Sequence, residues 1–168
     1  AFDGLIRQIL GEPEERIAMW RSSLHTELGE AGQVIADVVP VLGVLLGTLA
    51  PVQPLPPSDA LNRFNLTFRN FVRALAQPSH PLALYMDDLQ WADSASLRLL
   101  TALLSDSTIG NLLVMGAFRS NEVGEGHPLR MSLATLADAG VAMSELKLAP
   151  LGLASVSQMV ADTLALSK

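Results

Sequence analysis

The chain has no cysteine, only two lysines and no unbroken apolar run long enough to cross a membrane. Each absence removes a class of function. Without thiols there are no disulfides and no thiolate metal sites, and a reducing, cytoplasmic compartment is the default expectation. Lysine stands only at Lys147 and Lys168, and 11 basic residues face 17 acidic ones, for a formal net charge of −6. Nucleic acid and anionic membrane surfaces need clustered basic groups, so neither is an expected partner. The most apolar stretch, residues 34–50, is interrupted by Asp37, Pro40, Gly43 and Gly47. A membrane span needs about 20 predominantly apolar residues, so short buried helices are expected there instead. The first ten residues lack the basic start and the cleavage site of a signal peptide and look like the middle of a helical pattern. The chain is therefore expected to be cut from something longer.

What is present is apolar material. Hydrophobic residues make up 49% of 168 and charged residues 17%, enough for the core of one domain or a large piece of one. The two halves differ in texture. Residues 1–77 carry helical periodicity without a convincing strand. Pro13 with Glu14 and Glu15 marks a helix start, and Ile17, Trp20, Leu24 and Leu28 follow at helical spacing until Gly29. The proline-rich stretch 51–57 reads as a connector. After it, Leu61, Phe64, Phe68, Phe71, Val72 and Leu75 form one apolar stripe, with Ser58 as the expected N-cap and Pro78 as the stop.

Residues 78–150 alternate instead. Short apolar runs at about 82–87, 112–118 and 142–148 are expected to be strands, with helices at 94–104 and 129–137 between them. Asp93 is placed to cap the first of these helices. A last helix is expected over 155–166, in a terminal segment spanning 151–168. The fold class expected is α/β, a parallel sheet of doubly buried strands covered by helices and preceded by an all-helical segment. Ligand chemistry in such sheets gathers at the carboxyl ends of the strands.

The first of these strands ends on Asp87 and Asp88. One carboxylate of such a pair can hold Mg2+, usually through water, while its neighbour polarises an attacking water. The bland alternative is a polar loop whose acids cap the following helix. The run from Asp87 to Leu97 (Asp-Asp-Leu-Gln-Trp-Ala-Asp-Ser-Ala-Ser-Leu) and the run from Gly116 to Val123 resemble one group of P-loop ATPases. These are the signal-transduction ATPases with numerous domains, close to the AAA-type ATPase module. The version here resembles the ATPase-like module inside bacterial multi-sensor hybrid histidine kinases and related serine/threonine-kinase-coupled sensors. The likeness extends to residues 12–16 and to the helix around residues 62–65.

The resemblance implies a P-loop NTPase-type sheet, ATP and Mg2+ as cofactors, and other domains of the same polypeptide as partners. It implies Asp87 as the Walker B metal ligand, Asp88 as the water-activating acid, and Arg119 as the sensor arginine that contacts the terminal phosphate. A guanidinium at that position can donate several hydrogen bonds to phosphate oxygens, although an ion pair with Asp87, Asp88 or Glu122 is the structural alternative. The run Lys147 to Leu151 resembles the turn into the lid-side helices, with Lys147 itself a solvated charge.

One part of the pattern is missing. A phosphate loop needs Gly-x-x-x-x-Gly-Lys-Ser/Thr, and neither lysine follows a glycine at that spacing. The family's first two strands would then precede Ala1, and the residues present would be inactive alone. Strands 82–86 and 112–118 would pair in parallel while 142–148 loses its usual neighbour, so a homodimer through an unpaired edge or a distorted sheet is expected. A non-catalytic interaction scaffold with a degenerate ATPase-like fold remains the alternative. A receiver-type phosphoacceptor would need a further Asp where the later strand closes on Arg119.

Other residues attract blander readings. His25, His80 and His127 are scattered, which speaks for turn or surface roles over a metal site. The run His25-Thr26-Glu27 is faintly similar to a phospho-accepting histidine but lacks the adjacent acid. Trp91 is expected to pack its loop against the sheet, and Trp20 to serve a helix interface. Ser94, Ser96 and Ser120 have no histidine at a suggestive spacing for a hydrolase triad.

Overall fold

Residues 2–164 are described by a computed structural model of the chain. The helical half begins with α1 (Phe2–Leu10) and α2 (Glu14–Leu28). Helix α2 starts after Pro13, with Glu14 and Glu15 set against the positive end of the helix dipole. It stops where Gly29 takes φ 52°, a left-handed conformation that glycine adopts without a Cβ clash. Two short helices, α3 (Gly32–Ala36) and α4 (Val41–Leu46), occupy the broken apolar stretch as expected. Helix α5 (Pro57–Leu75) then lies against α2.

These helices close one core around Ile6, Leu24, Ile35, Leu42, Leu45, Phe71 and Val72, all essentially buried. Each such side chain contributes about 1.5–3 kcal/mol of hydrophobic stabilisation. Phe2 packs edge-on against Phe68 and Phe71, with ring centroids 5.5 and 5.3 Å away. Trp20 belongs to this core. The α5 stripe differs from expectation at its start: Leu61 is 49% exposed and the buried face begins further along. Ser58 is not the cap either. Proline needs no N–H partner in a first turn, so the helix starts at Pro57, two residues before the start a Ser58 cap would give, and the Ser58 hydroxyl reaches Asp59. Arg73 donates to Glu27 at 2.7 Å and to Asn70, fastening α5 to the end of α2.

The second half contains β1 (Leu82–Met86), α6 (Ser94–Leu104), β2 (Leu112–Gly116), α7 (Pro128–Asp138) and α8 (Leu153–Thr163). Strands β1 and β2 pair in parallel, Leu82 opposite Leu112 and Met86 opposite Gly116. A helix crossing between two parallel strands is what the alternating pattern implied. Leu82 and Leu112 pack into the large helical core, together with Leu103 and Ile109.

Two expectations about the sheet need correction. The strands are covered on one face only: Leu84 and Val114 are half-buried, whereas Tyr85, Leu113 and Met115 are exposed. Residues 142–148 form no strand, and Leu146 and Leu148 are 84% and 86% exposed. A strand exists through its ladder hydrogen bonds, and none reaches this segment from β1 or β2. Helix α8 starts two residues before its expected position and buries no residue, while the expected end at Leu166 lies outside the described residues, as does Lys168. No helix among the described residues is long and apolar enough to cross a membrane.

Candidate functional site

The strand ladder runs one step past β1 and β2. Ala117 donates its N–H to the Met86 carbonyl at 2.8 Å, and Leu89 donates to the Ala117 carbonyl at 3.0 Å. Those two bonds hold the Asp87–Asp88 turn beside residues 117–119. Leu89 folds over Gly116 so closely that a Cβ there would lie 2.5 Å from its Cδ1. Beneath the turn sits a second, small apolar cluster of Leu97, Val123 and Leu129, with Leu89 and Phe118 against it.

Asp88 adopts the left-handed region, φ 55° and ψ 39°, which aspartate tolerates better than most residues because its carboxylate bonds locally. Its N–H donates to the Asp87 carboxylate at 2.9 Å. The turn thus places the two acids differently. Asp87 is exposed, whereas Asp88 is half-buried and accepts a bond from the Gln90 side chain at 2.8 Å. Of the two acids, Asp88 is the one within 4 Å of Arg119, whose Nε lies 3.7 Å from its Oδ1. The same guanidinium donates to Glu122 at 3.2 Å and lies over the Trp91 ring, 5.6 Å from its centroid.

The expected site residues Asp88 and Arg119 therefore meet at the carboxyl ends of neighbouring strands, and Asp87 stands beside them. Trp91 does not pack against the sheet as expected; it is 69% exposed and offers its face to Arg119. A ring face carries negative quadrupole charge, so it competes for the cation.

Asp93 has a separate and structural task. Its Oδ1 accepts the N–H groups of Ala95 and Ser96, both at 2.8 Å, and Oδ2 accepts the Ser96 hydroxyl. These bonds, led by the one from the Ser96 backbone, hold its carboxyl below the usual carboxylate range. It caps α6 as expected.

Two residues in the site escaped the sequence reading. Gln90 is buried, and besides holding Asp88 it accepts the Arg119 backbone N–H at 3.2 Å. His127 donates from Nε2 to the Gln90 carbonyl at 3.1 Å and caps α7 by accepting the Leu129 N–H on Nδ1. No periodicity marks Gln90. His127 carried a usable signal, a capping-capable residue directly before a proline at the first turn of a helix. The other histidines are elsewhere: His25 faces the Leu46 carbonyl, and His80 lies against Arg16 and Trp20. No group of three or more metal-ligating side chains occurs among the described residues.

Mg2+ takes hard oxygen donors and commonly needs only one or two carboxylates beside water and phosphate. The exposed Asp87 carboxylate, next to Asp88 in a turn at a strand end, fits that donor chemistry. Two surface hollows, one along α8 and one between α1 and β1, are lined by none of Asp87, Asp88 and Arg119.

Comparison with known proteins gives this geometry a family. A hybrid signal transduction histidine kinase, form G, of Dictyostelium discoideum is 37% identical over 107 residues. The match spans 64% of this chain but 3% of the relative's length. No solved structure matches. The family model described as the AAA ATPase domain matches residues 1–115, which takes in the helical half, β1 and both acids and stops short of Arg119. The chain belongs to the AAA ATPase domain family.

Proposed function

We propose that this chain is part of a regulatory ATP-dependent switch in a multidomain signalling protein of the histidine kinase type. The observation that supports it most is the approach of Arg119 to Asp88, at 3.7 Å, across the carboxyl ends of two parallel strands. In this reading Asp87 holds Mg2+, which when bound offsets the charge of the ATP phosphates. Asp88 accepts a proton from the attacking water, and Arg119 turns from Asp88 and Glu122 to the terminal phosphate. Phosphoryl transfer asks mainly for positioning and charge stabilisation, which is what these side chains can supply. The phosphate loop comes from residues outside the 168, so this chain alone turns over no ATP. Its partners are neighbouring domains of the same polypeptide, in the cytoplasm of a bacterial-type sensor system, and the open sheet edge supports a homodimer.

The test is Mg2+-dependent ATP turnover in the protein carrying the phosphate loop, with Asp88→Asn as the comparison. Equal turnover in both removes Asp88 from its role. For the 168 residues alone, MgATP should shift the melting temperature very little; a shift of several degrees would place the nucleotide site elsewhere. Light scattering that finds only monomer refutes the homodimer.

A second reading has its own support. Arg119 is already engaged by Asp88, Glu122 and Trp91, and the outer sheet face is apolar and open. Both features suit a non-catalytic scaffold of the same fold. Failure of the full-length protein to bind MgATP would favour it.

A further inference from the structure

Three parts of the site converge on one residue that neither composition nor spacing singles out, two on its side chain and one on its backbone carbonyl. Gln90 is only 6% exposed. Its Nε2 donates to Asp88 at 2.8 Å, its Oε1 accepts the Arg119 N–H at 3.2 Å, and its own carbonyl accepts from His127 at 3.1 Å. The orientation of the amide is forced by chemistry. A backbone N–H can only donate, so oxygen must face Arg119, which leaves the NH2 group for the ionised Asp88, an acceptor only. His127 is fixed in the same way. A carbonyl on one side and the Leu129 N–H on the other require the neutral ring with its proton on Nε2.

No common side chain replaces glutamine in this frame. Glutamate offers no donor and sets a second negative charge beside Asp88. Asparagine is one methylene shorter, and methionine fills the volume without either bond. A buried, doubly satisfied amide of this kind specifies one arrangement of the groups around it.

We propose that Gln90 is the positioning residue of the site, with His127 as its anchor. Gln90 sets the Asp88 carboxylate and the Arg119 backbone relative to each other, and His127 ties that pair to the first turn of α7. A displacement of Arg119 toward a phosphate is thereby passed to α7. The kinetic consequence rests on the function proposed above; the geometric role does not.

Amide hydrogen exchange by NMR on the 168-residue chain tests the geometry. Gln90→Met should speed exchange of the Arg119 amide about tenfold, the loss expected for one intramolecular hydrogen bond, and leave the α2 and α5 amides unchanged. His127→Asn keeps a residue able to cap α7 but too short to hold the Gln90 carbonyl. It should speed Arg119 exchange by about threefold while Leu129 stays protected. Wild-type exchange at Arg119 in both variants overturns the proposal. If Gln90→Met does not fold, as loss of protection in α2 and α5 would reveal, His127→Asn decides alone.

In the protein carrying the phosphate loop, Gln90→Met should lower kcat about tenfold with KM for ATP unchanged, the mark of a group that acts on the transition state. Raised KM with wild-type kcat overturns positioning. Absence of turnover in the wild type sinks the proposed function instead, and the exchange measurement still decides the role of Gln90.

Discussion

Replacing Arg119 with alanine separates a structural ion pair from a phosphate contact, because the two readings differ in magnitude. The guanidinium lies 3.7 Å from Asp88 and 3.2 Å from Glu122, and its side chain is 59% exposed. At those separations each pair is worth about 1 kcal/mol in water-like surroundings. Ordering a long arginine costs about 1.5–2 kcal/mol, and exposed pairs measured by double-mutant cycles net about 0–1 kcal/mol. The Trp91 stack adds about 0.5–1 kcal/mol at such an exposed position. The balance leaves the apo chain within about 1 kcal/mol of wild type, which for a chain of this size is a melting shift of about 2–4 °C. A bond to a charged phosphate is a different quantity, about 1.5–3 kcal/mol, or roughly ten- to a hundredfold in affinity for MgATP. The assay is calorimetric melting of the 168-residue chain, paired with MgATP titration of a longer chain that includes the proposed phosphate loop. Arg119→Lys, which keeps the charge and loses the fork, should fall between wild type and alanine in affinity. An alanine variant that melts far below wild type, or binds MgATP as tightly, refutes the reasoning.

Three further outcomes follow from the packing and the caps. Phe71→Ala removes a fully buried ring at the centre of the helical core and should cost about 3–5 kcal/mol in urea unfolding, with the midpoint falling and the slope retained. The depressed carboxyl of Asp93 stabilises α6 at pH values above its ordinary range near 4 and loses that contribution as pH falls through its lowered native value. Asp93→Asn, still an able cap, should flatten that acid limb without weakening α6 at neutral pH, as read by amide exchange of α6 against pH. Gly116→Ala drives a methyl into Leu89 and should destabilise by about 1–2 kcal/mol. Adding Leu89→Ala should relieve part of that cost, and strict additivity in the double-mutant cycle would show that the two side chains do not collide.

The sequence made some of this legible and left the rest hidden for physical reasons. Helix boundaries set by local chemistry were readable: acids after Pro13, a left-handed stop at Gly29, a carboxylate cap at Asp93. Strands β1 and β2 were readable from short apolar runs, although each run extends beyond the residues that pair. The apolar run 142–148 looked no different, because a strand's identity lies in its neighbour and a sequence window does not contain the neighbour. Trp91 misled for a similar reason. Its size favours burial on average, but an adjacent guanidinium offers the ring an alternative at the surface. Asp88 and Arg119 stand 3.7 Å apart at the ends of two strands whose pairing the family resemblance implied. Gln90 stayed invisible because two of its three bonds, to Arg119 and His127, reach across the fold and leave no periodicity along the chain.

The two apolar clusters divide the labour of holding the acid pair. The entry ends of β1 and β2 are pinned by Leu82 and Leu112 in the large helical core, so the helical half serves the site as its foundation. Two strands alone would be marginally stable in water. The exit ends, where Asp87, Asp88 and Arg119 stand, rest instead on Leu97, Val123 and Leu129, a far smaller cluster that joins α6 to α7. Local opening follows local burial, so the exit ends should open at lower free energy than the entry ends. Under the proposed function Arg119 exchanges one set of partners for another, and that exchange would fall on the softer support, while the strand register beneath it is fixed by the harder one.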